Sequence, residues 1–295
     1  MSDEAGLPDL SPGRYPSGSE LASADRVVYS LHQRFLYSYD GPVSDLRHRL
    51  VVVPRGRHGD QRRRRQSVRV SAEGALVTQH RDTAGNTVTR VRVPVVPAQV
   101  EFVVDAVLER SGPAAGVRLP AAALTDPRLL RPTRLTAADD TIRDLAAELG
   151  GGPDRLASAE RFCAYVHEAL AYSHDTTSVT TTAAEALAVG SGVCQDSAHL
   201  MLALCRAAGV PARYVSGHLL GEGGTHAWVE VIVADPAGAR AVALDPCNGR
   251  PAGKDYVTVA TGRDYADVAP TSGSYTGSAR GTLTASKQVA VALVA

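Results

Sequence analysis

The 295-residue chain contains four cysteines, two lysines and no net charge, with 31 Lys plus Arg against 31 Asp plus Glu. Four thiols over this length are too few to staple a secreted disulfide scaffold. The charge balance excludes attraction of the whole surface to nucleic acid or anionic lipid, but not a local patch. No apolar run approaches the roughly 18 residues of a membrane span, and the start, MSDEAGLPDLSPGRYPSGSE, lacks the apolar segment of a secretory signal. A cytoplasmic location without a membrane partner is therefore expected. In that compartment a cysteine is a packing residue or a nucleophile sooner than half of a bridge. The 27 glycines and 17 prolines fall below the share of a disordered polymer, and 44% hydrophobic residues fits a globular protein.

At roughly 100–200 residues per domain the length predicts two domains. Residues 1–23, rich in Ser, Pro, Gly and acid, predict a disordered tail. Over 24–110, short segments rich in Val, Tyr and Arg alternate at period two (27–39, 46–54, 67–72, 87–96 and 100–107), with turn signals at Asp40-Gly41-Pro42 and Ala84-Gly85-Asn86. They predict an N-terminal antiparallel β-sandwich. Residues 111–135, with their prolines and no sustained period, predict an ordered linker. From 136 to 295 helices come first and strands follow, an α+β layout. Thr136 is expected to cap a helix through Leu149, Asp154 opens one carrying Phe162, Val166 and Leu170, and Thr182 with Glu185 forms a capping-box pattern closed by Gly190. Cys194 begins a longer helix stopped by Gly209, and 212–220, 226–234 and 240–246 are strand-like.

Nine arginines against the single acid Asp60 lie between Arg47 and Arg69. Such a patch can grip phosphate. The chain uses arginine as its general cation, however, and no aromatics interleave the run as a single-strand binder requires. A solvated strand face is the stronger expectation, and nucleic acid is not an expected partner.

A thiol becomes a useful nucleophile with a stabilised thiolate, a base within reach and an oxyanion donor. In Gly190-Ser191-Gly192-Val193-Cys194 the glycines allow a sharp turn that places Cys194 in the first turn of a helix. There the free backbone N–H groups and the positive dipole end favour a thiolate and supply oxyanion donors. Cys163 and Cys205 sit at apolar helical spacing and predict inert packing. His226 in Gly224-Thr225-His226-Ala227-Trp228 starts a strand and is the candidate base, with Trp228 on its face. Asp245 in Leu244-Asp245-Pro246 is the candidate orienting acid. Residues 226 and 245 lie nearly symmetrically about a hairpin apex at 234–238, which brings them opposite one another to within a residue or two.

Four stretches carry a family resemblance: GVCQDSAHLMLALCRAAGVPARYVSGHL (192–219), THAWVEV (225–231), LDPCNG (244–249) and GRDYADVAP (262–270). In this order they resemble the bacterial transglutaminase-like superfamily of cysteine enzymes, and QHRDTAGNTVTRVRVP (79–94) resembles the β-region that precedes the core in such proteins. The resemblance implies a papain-like core with Cys194 as nucleophile, His226 as base and Asp245 as orienter. It also implies acyl transfer from an amide to an amine or to water, with no metal or other cofactor and with a peptide, protein or small amide as substrate. Tyr172 is the position matching the side chain that assists the oxyanion. Ser197, His218 and Cys247 depart from the family pattern at positions expected to flank the site, which predicts a more polar and roomier pocket. Two rivals remain: amide synthesis on a carrier-bound acyl group, and a non-catalytic binding module using the arginine patch.

Overall fold

In the computed structural model of the chain, which describes residues 16–112 and 116–295, the first half runs α1 (Gly18–Ser23), β1 (Arg26–Tyr39), β2 (Val43–Val53), β3 (Arg57–His58), β4 (Gln61–Val70), β5 (Leu76–Arg81), β6 (Thr87–Val96) and β7 (Gln99–Ser111). Along β7, Val100, Phe102, Val104, Ala106 and Leu108 are buried while Glu101, Val103, Asp105 and Val107 between them are partly exposed, the period of a strand with one face on a core. The second half runs β8 (Val117–Leu119), α2 (Pro127–Leu130), α3 (Asp140–Leu149), α4 (Arg155–Ala169), β9 (Ala171–Tyr172), α5 (Ala183–Val189), β10 (Ser191–Gly192), α6 (Cys194–Ala207), β11 (Ala212–Leu219), β12 (Gly221–Glu222), β13 (His226–Asp235), β14 (Gly238–Asp245), β15 (Arg250–Pro251), β16 (Tyr256–Gly262), α7 (Tyr265–Val268), β17 (Thr271–Thr276) and β18 (Gly281–Val294).

Two antiparallel sheets form the first unit, one ordered β12-β18-β1-β7-β4-β3 and the other β17-β2-β6-β5. Phe35, Leu46, Leu50, Val91, Val93 and Phe102 belong to the core between them. In the second unit α4 and α6 pack on a sheet ordered β15-β14-β13-β11-β16, and α3 and α5 pack on α6. Helix α6 is its axis: each residue from Gln195 to Arg206 is buried, and Leu200, Met201 and Leu204 join Phe162, Val166, Tyr214 and Val229 in one core. The architecture is therefore α+β, as the sequence pattern predicts.

Several boundaries differ from expectation. Residues 1–15 of the expected tail lie outside the described residues, but 18–23 form a helix. Ser17 and Glu20 close a capping box there, and Leu21 is buried against Val27 and Tyr29. The expected linker contains β8, which pairs with β14, and its Leu124 and Leu129 cover Ile232 and Ala241. Asp139, not Thr136, caps α3. The last strands, counted by sequence with the second domain, return to the first: β18 pairs along β1 from Val27↔Val294 to Tyr39↔Gly281, and β17 pairs with β2. Among the described residues, no helix is long and apolar enough to cross a membrane.

The two units meet through polar groups that finish an open sheet edge. Strand β16 ends its sheet, and an exposed edge leaves backbone groups unpaired. The Gln61 side chain donates to Thr258 O (2.7 Å) and accepts from Thr258 N (2.9 Å); Asn86 does the same at Thr261 (2.8 and 2.9 Å). Each side-chain amide thus occupies the place of a peptide group on a neighbouring strand. Beside them, Glu230 on β13 is buried between His58 of β3 (2.6 Å) and Arg213 of β11 (2.7 Å). Burial alone would raise the Glu230 carboxyl, but the Arg213 guanidinium and the hydrogen bond with His58 hold it well below the usual range.

Removing one member of a buried charge cluster strands the rest. Glu230→Gln is expected to cost about 3–5 kcal/mol of unfolding free energy, measured in urea. A cost under about 1 kcal/mol would show the cluster to be dispensable.

Candidate active site

The turn before Cys194 is set by two glycines and one carboxylate. Gly190 closes α5 in the left-handed region at φ 69°, a conformation that favours glycine. At Gly192 a Cβ would lie 2.7 Å from Asp196 Oδ2. That carboxylate reaches back to accept from Val193 N (2.8 Å) and from Thr177 Oγ1 (2.7 Å), which fixes the helix start. Cys194 is partly exposed and its Sγ faces Thr225 O at 4.0 Å. At the start of α6 the Asp196 and Ser197 N–H groups donate to Val193 O (2.9 and 3.2 Å), which leaves those of Cys194 and Gln195 as the first-turn donors without a helical carbonyl.

His226 starts β13 and Asp245 ends β14. The register pairs Val229 with Leu244, so one step further Asp245 faces Trp228, and His226 sits diagonally two positions away. The imidazole bridges this offset, with Nε2 donating to Asp245 Oδ2 at 2.6 Å. Trp228 stacks beside the imidazole with centroids 6.1 Å apart. That stacking depends on Gly217, paired with His226 across β11, where a Cβ would lie 2.4 Å from the Trp228 ring and 2.2 Å from Val257 O.

Asp245 is fully buried, and five donors converge on it. Oδ2 accepts from His226, from Tyr256 Oη (2.6 Å) and from Asn248 Nδ2 (2.7 Å), while Oδ1 accepts from Cys247 N (2.9 Å) and Asn248 N (3.2 Å). Burial would raise its pKa, but these donors and the His226 charge hold it below the ordinary value. For His226, burial disfavours the imidazolium. The hydrogen bond to Asp245, contact with Cys194 and the charges of both overcome it, and the imidazole is raised to about 9.

The remaining candidates divide. Tyr172 on β9 pairs beside Gly192 of β10 and is 59% exposed. Burial raises the pKa of its hydroxyl, and its ring meets that of His174 edge-on with centroids 5.1 Å apart. Ser197 is buried one turn into α6 and shares a hydrogen bond with Cys247, whose thiol burial pushes up to about 12. His218, expected beside the pocket, is instead 1% exposed, and its Nε2 meets Gln33 Oε1 at 3.1 Å, so its polar contact is spent on β1 of the first unit. His199 is a packed residue whose Nε2 accepts from Tyr265 N (3.2 Å). Arg263 pairs with Asp267, while Asp264 caps α7. Among the described residues no cluster of three or more His, Cys, Asp or Glu is arranged for a metal ion.

Residues 143–246 match the family described as the transglutaminase-like superfamily, and residues 29–109 match the bacterial transglutaminase-like N-terminal region. The chain carries a transglutaminase-like core behind a bacterial transglutaminase-like N-terminal region. It is 32% identical over 159 residues to an uncharacterized protein of Mycobacterium leprae, covering 50% of this chain and 55% of that one. Over 114 residues it is 39% identical to an uncharacterized protein of Mycobacterium tuberculosis, covering 35% and 36%. The chain thus spans about half, or less, of the curated relatives it matches. Its fold is similar to that of a candidate cysteine protease from Cytophaga hutchinsonii, with a TM-score of 0.73 at 22% identity over 91% of both chains.

Two residues that hold Asp245 escape sequence reasoning. Asn248 lies inside the LDPCNG stretch, and its position three residues after an aspartate in a turn is the available signal. Tyr256 begins a strand that alternation does not reveal, because β16 is buried on both faces from Tyr256 to Thr261.

A folded His226 titrating near 9, against about 6.5 when unfolded, contributes stability that is complete below about 6.5 and is lost as pH rises through about 9. Between these values the wild type is expected to lose stability that Asp245→Asn does not lose. Urea unfolding at stepped pH checks this, and parallel curves for the two proteins would refute it.

Proposed function

We propose that the protein is a cysteine-dependent acyltransferase acting on an amide carbonyl. The observation that carries this is the 2.6 Å bond of His226 to the buried Asp245, with Thr225, the residue before His226, 4.0 Å from the Cys194 Sγ at the start of α6. The Cys194 thiolate attacks the carbonyl carbon, and the oxyanion that forms meets the Cys194 and Gln195 N–H groups at the start of α6, with Tyr172 as the further donor that the family resemblance implies. The His226 imidazolium gives its proton to the leaving nitrogen; the C–N bond breaks and a thioester remains on Cys194. His226, now neutral, takes a proton from an incoming amine or water. The acceptor forms the new bond to the acyl carbon, and the thiolate leaves with the imidazole again protonated. Asp245 keeps one tautomer and one ring orientation throughout and stabilises the imidazolium.

The family match and the likeness to a candidate cysteine protease support a thiol enzyme of this class.

Incubation with a peptide bearing a side-chain carboxamide, with and without a primary amine, is expected to release ammonia and give an amide or an acid by mass. Cys194→Ala and His226→Ala are each expected to reduce the rate by at least about 10³-fold. Unchanged turnover in Cys194→Ala would overturn the proposal, and formation of the acid alone would assign hydrolysis rather than transfer.

A further inference from the structure

We propose that the N-terminal β-region is part of the catalytic apparatus, holding the His226–Asp245 pair in register through Tyr256, a positioning residue whose hydroxyl donates to Asp245. This rests on the acyl-transfer reading above. Tyr256 Oη lies 2.6 Å from Asp245 Oδ2, the same oxygen that faces His226. Its ring lies 6.0 Å from the imidazole and 5.2 Å from Trp228, so it walls the pair as well as bonding to it.

What fixes Tyr256 comes from the first unit. Arg110 of β7 is held bidentately by Asp60 (2.9 and 3.0 Å) and donates Nη1 to Gly253 O (2.6 Å) and Tyr256 O (3.2 Å). Tyr29 of β1 donates its hydroxyl to Lys254 O at 2.6 Å. The Lys254 ammonium bonds Ala24 O, and the Gln61 amide pairs with Thr258. The segment 253–258 is thus gripped on both sides of Tyr256 by residues far away in sequence. Groups with two rigid anchors place a donor within the few tenths of an ångström that a short hydrogen bond demands. Burial and the Asp245 charge keep the phenol protonated, and hence a donor.

The titratable groups that face His226 are Cys194 from α6, Asp245 from β14 and Tyr256 from β16, with His218 from β11 close enough to feel its charge. Of these, Tyr256 is the one that draws negative charge from the Asp245 oxygen without itself ionising. Removing its hydroxyl leaves that oxygen more basic towards the imidazolium.

The test uses the full chain and follows alkylation of Cys194 by iodoacetamide across pH, read by intact mass with Cys194→Ala as blank and His226→Asn to mark the limb due to His226. Tyr256→Phe is expected to move that limb upward by about half a pH unit and to lower turnover of the amide substrate by about 10- to 100-fold at unchanged KM. Arg110→Gln is expected to move the limb the same way; should it fail to fold, Tyr29→Phe removes one hydroxyl from the same grip. A limb in Tyr256→Phe that coincides with the wild type overturns the positioning role. A shift in Tyr256→Phe with none in Arg110→Gln or Tyr29→Phe overturns the part given to the first unit. If His226→Asn leaves the wild-type profile unaltered, the acyl-transfer reading fails instead.

Discussion

A carboxylate without water is the constraint around which this protein is arranged. Asp245 is completely buried, and a charge taken from water is tolerated only when donors and a counter-charge replace the lost solvation. Five donors do so, drawn from three strands or turns that nothing else obliges to converge: the start of β13, the turn 247–248 and the start of β16. His226 is the one cationic member, so ionisation of Asp245 and protonation of His226 support each other. Loss of any one donor leaves the others facing a buried charge with less to hold it in place.

The same economy governs the contact between the two halves. Their interface is largely made of groups that would otherwise be orphaned: the open edge of β16, the Glu230 carboxylate, and the carbonyls of 253–256. Arg110, Gln61, Asn86, Tyr29 and His58 each satisfy one of these from the first unit. The loop that leads into His226 is tied down in the same way, because β12 pairs with β18 and Lys287 on β18 donates to Leu219 O and Gly221 O. Both approaches to the Asp245–His226 pair therefore run over the N-terminal β-region, which makes the chain's return through β17 and β18 part of the site's framework.

The legible part of the site was the part carried by local rules. A glycine-flanked cysteine before an apolar helical period places Cys194, and symmetry about the 234–238 turn places His226 and Asp245 within two positions of each other. What stayed hidden depends on pairing between distant segments. Strand β5 buries no side chain, so it shows no alternation, and it is a strand because β6 pairs with it. Residues 271–276 are small and polar, and 281–294 carry a weak pattern whose partner lies over 240 residues away in β1. His218 sits one residue from Gly217, close in sequence to the site, yet its ring contacts Gln33. Sequence distance to a motif does not say which neighbour a side chain meets.

The two lysines complete the account of what an acyl-transfer reaction would meet on this surface. Both are buried, with Lys254 bonded to Ala24 O and Lys287 to Leu219 O and Gly221 O, and burial lowers Lys287 to about 8. Each uses a flexible stem and compact ammonium to reach carbonyls between the two halves. Every other basic residue, His aside, is one of 29 arginines, and a guanidinium stays protonated and is no nucleophile. A thioester at Cys194 resolved by a lysine amine would therefore draw that lysine from another molecule, since the chain's own lysines are spent on holding the N-terminal β-region against the loops that carry His226 and Tyr256.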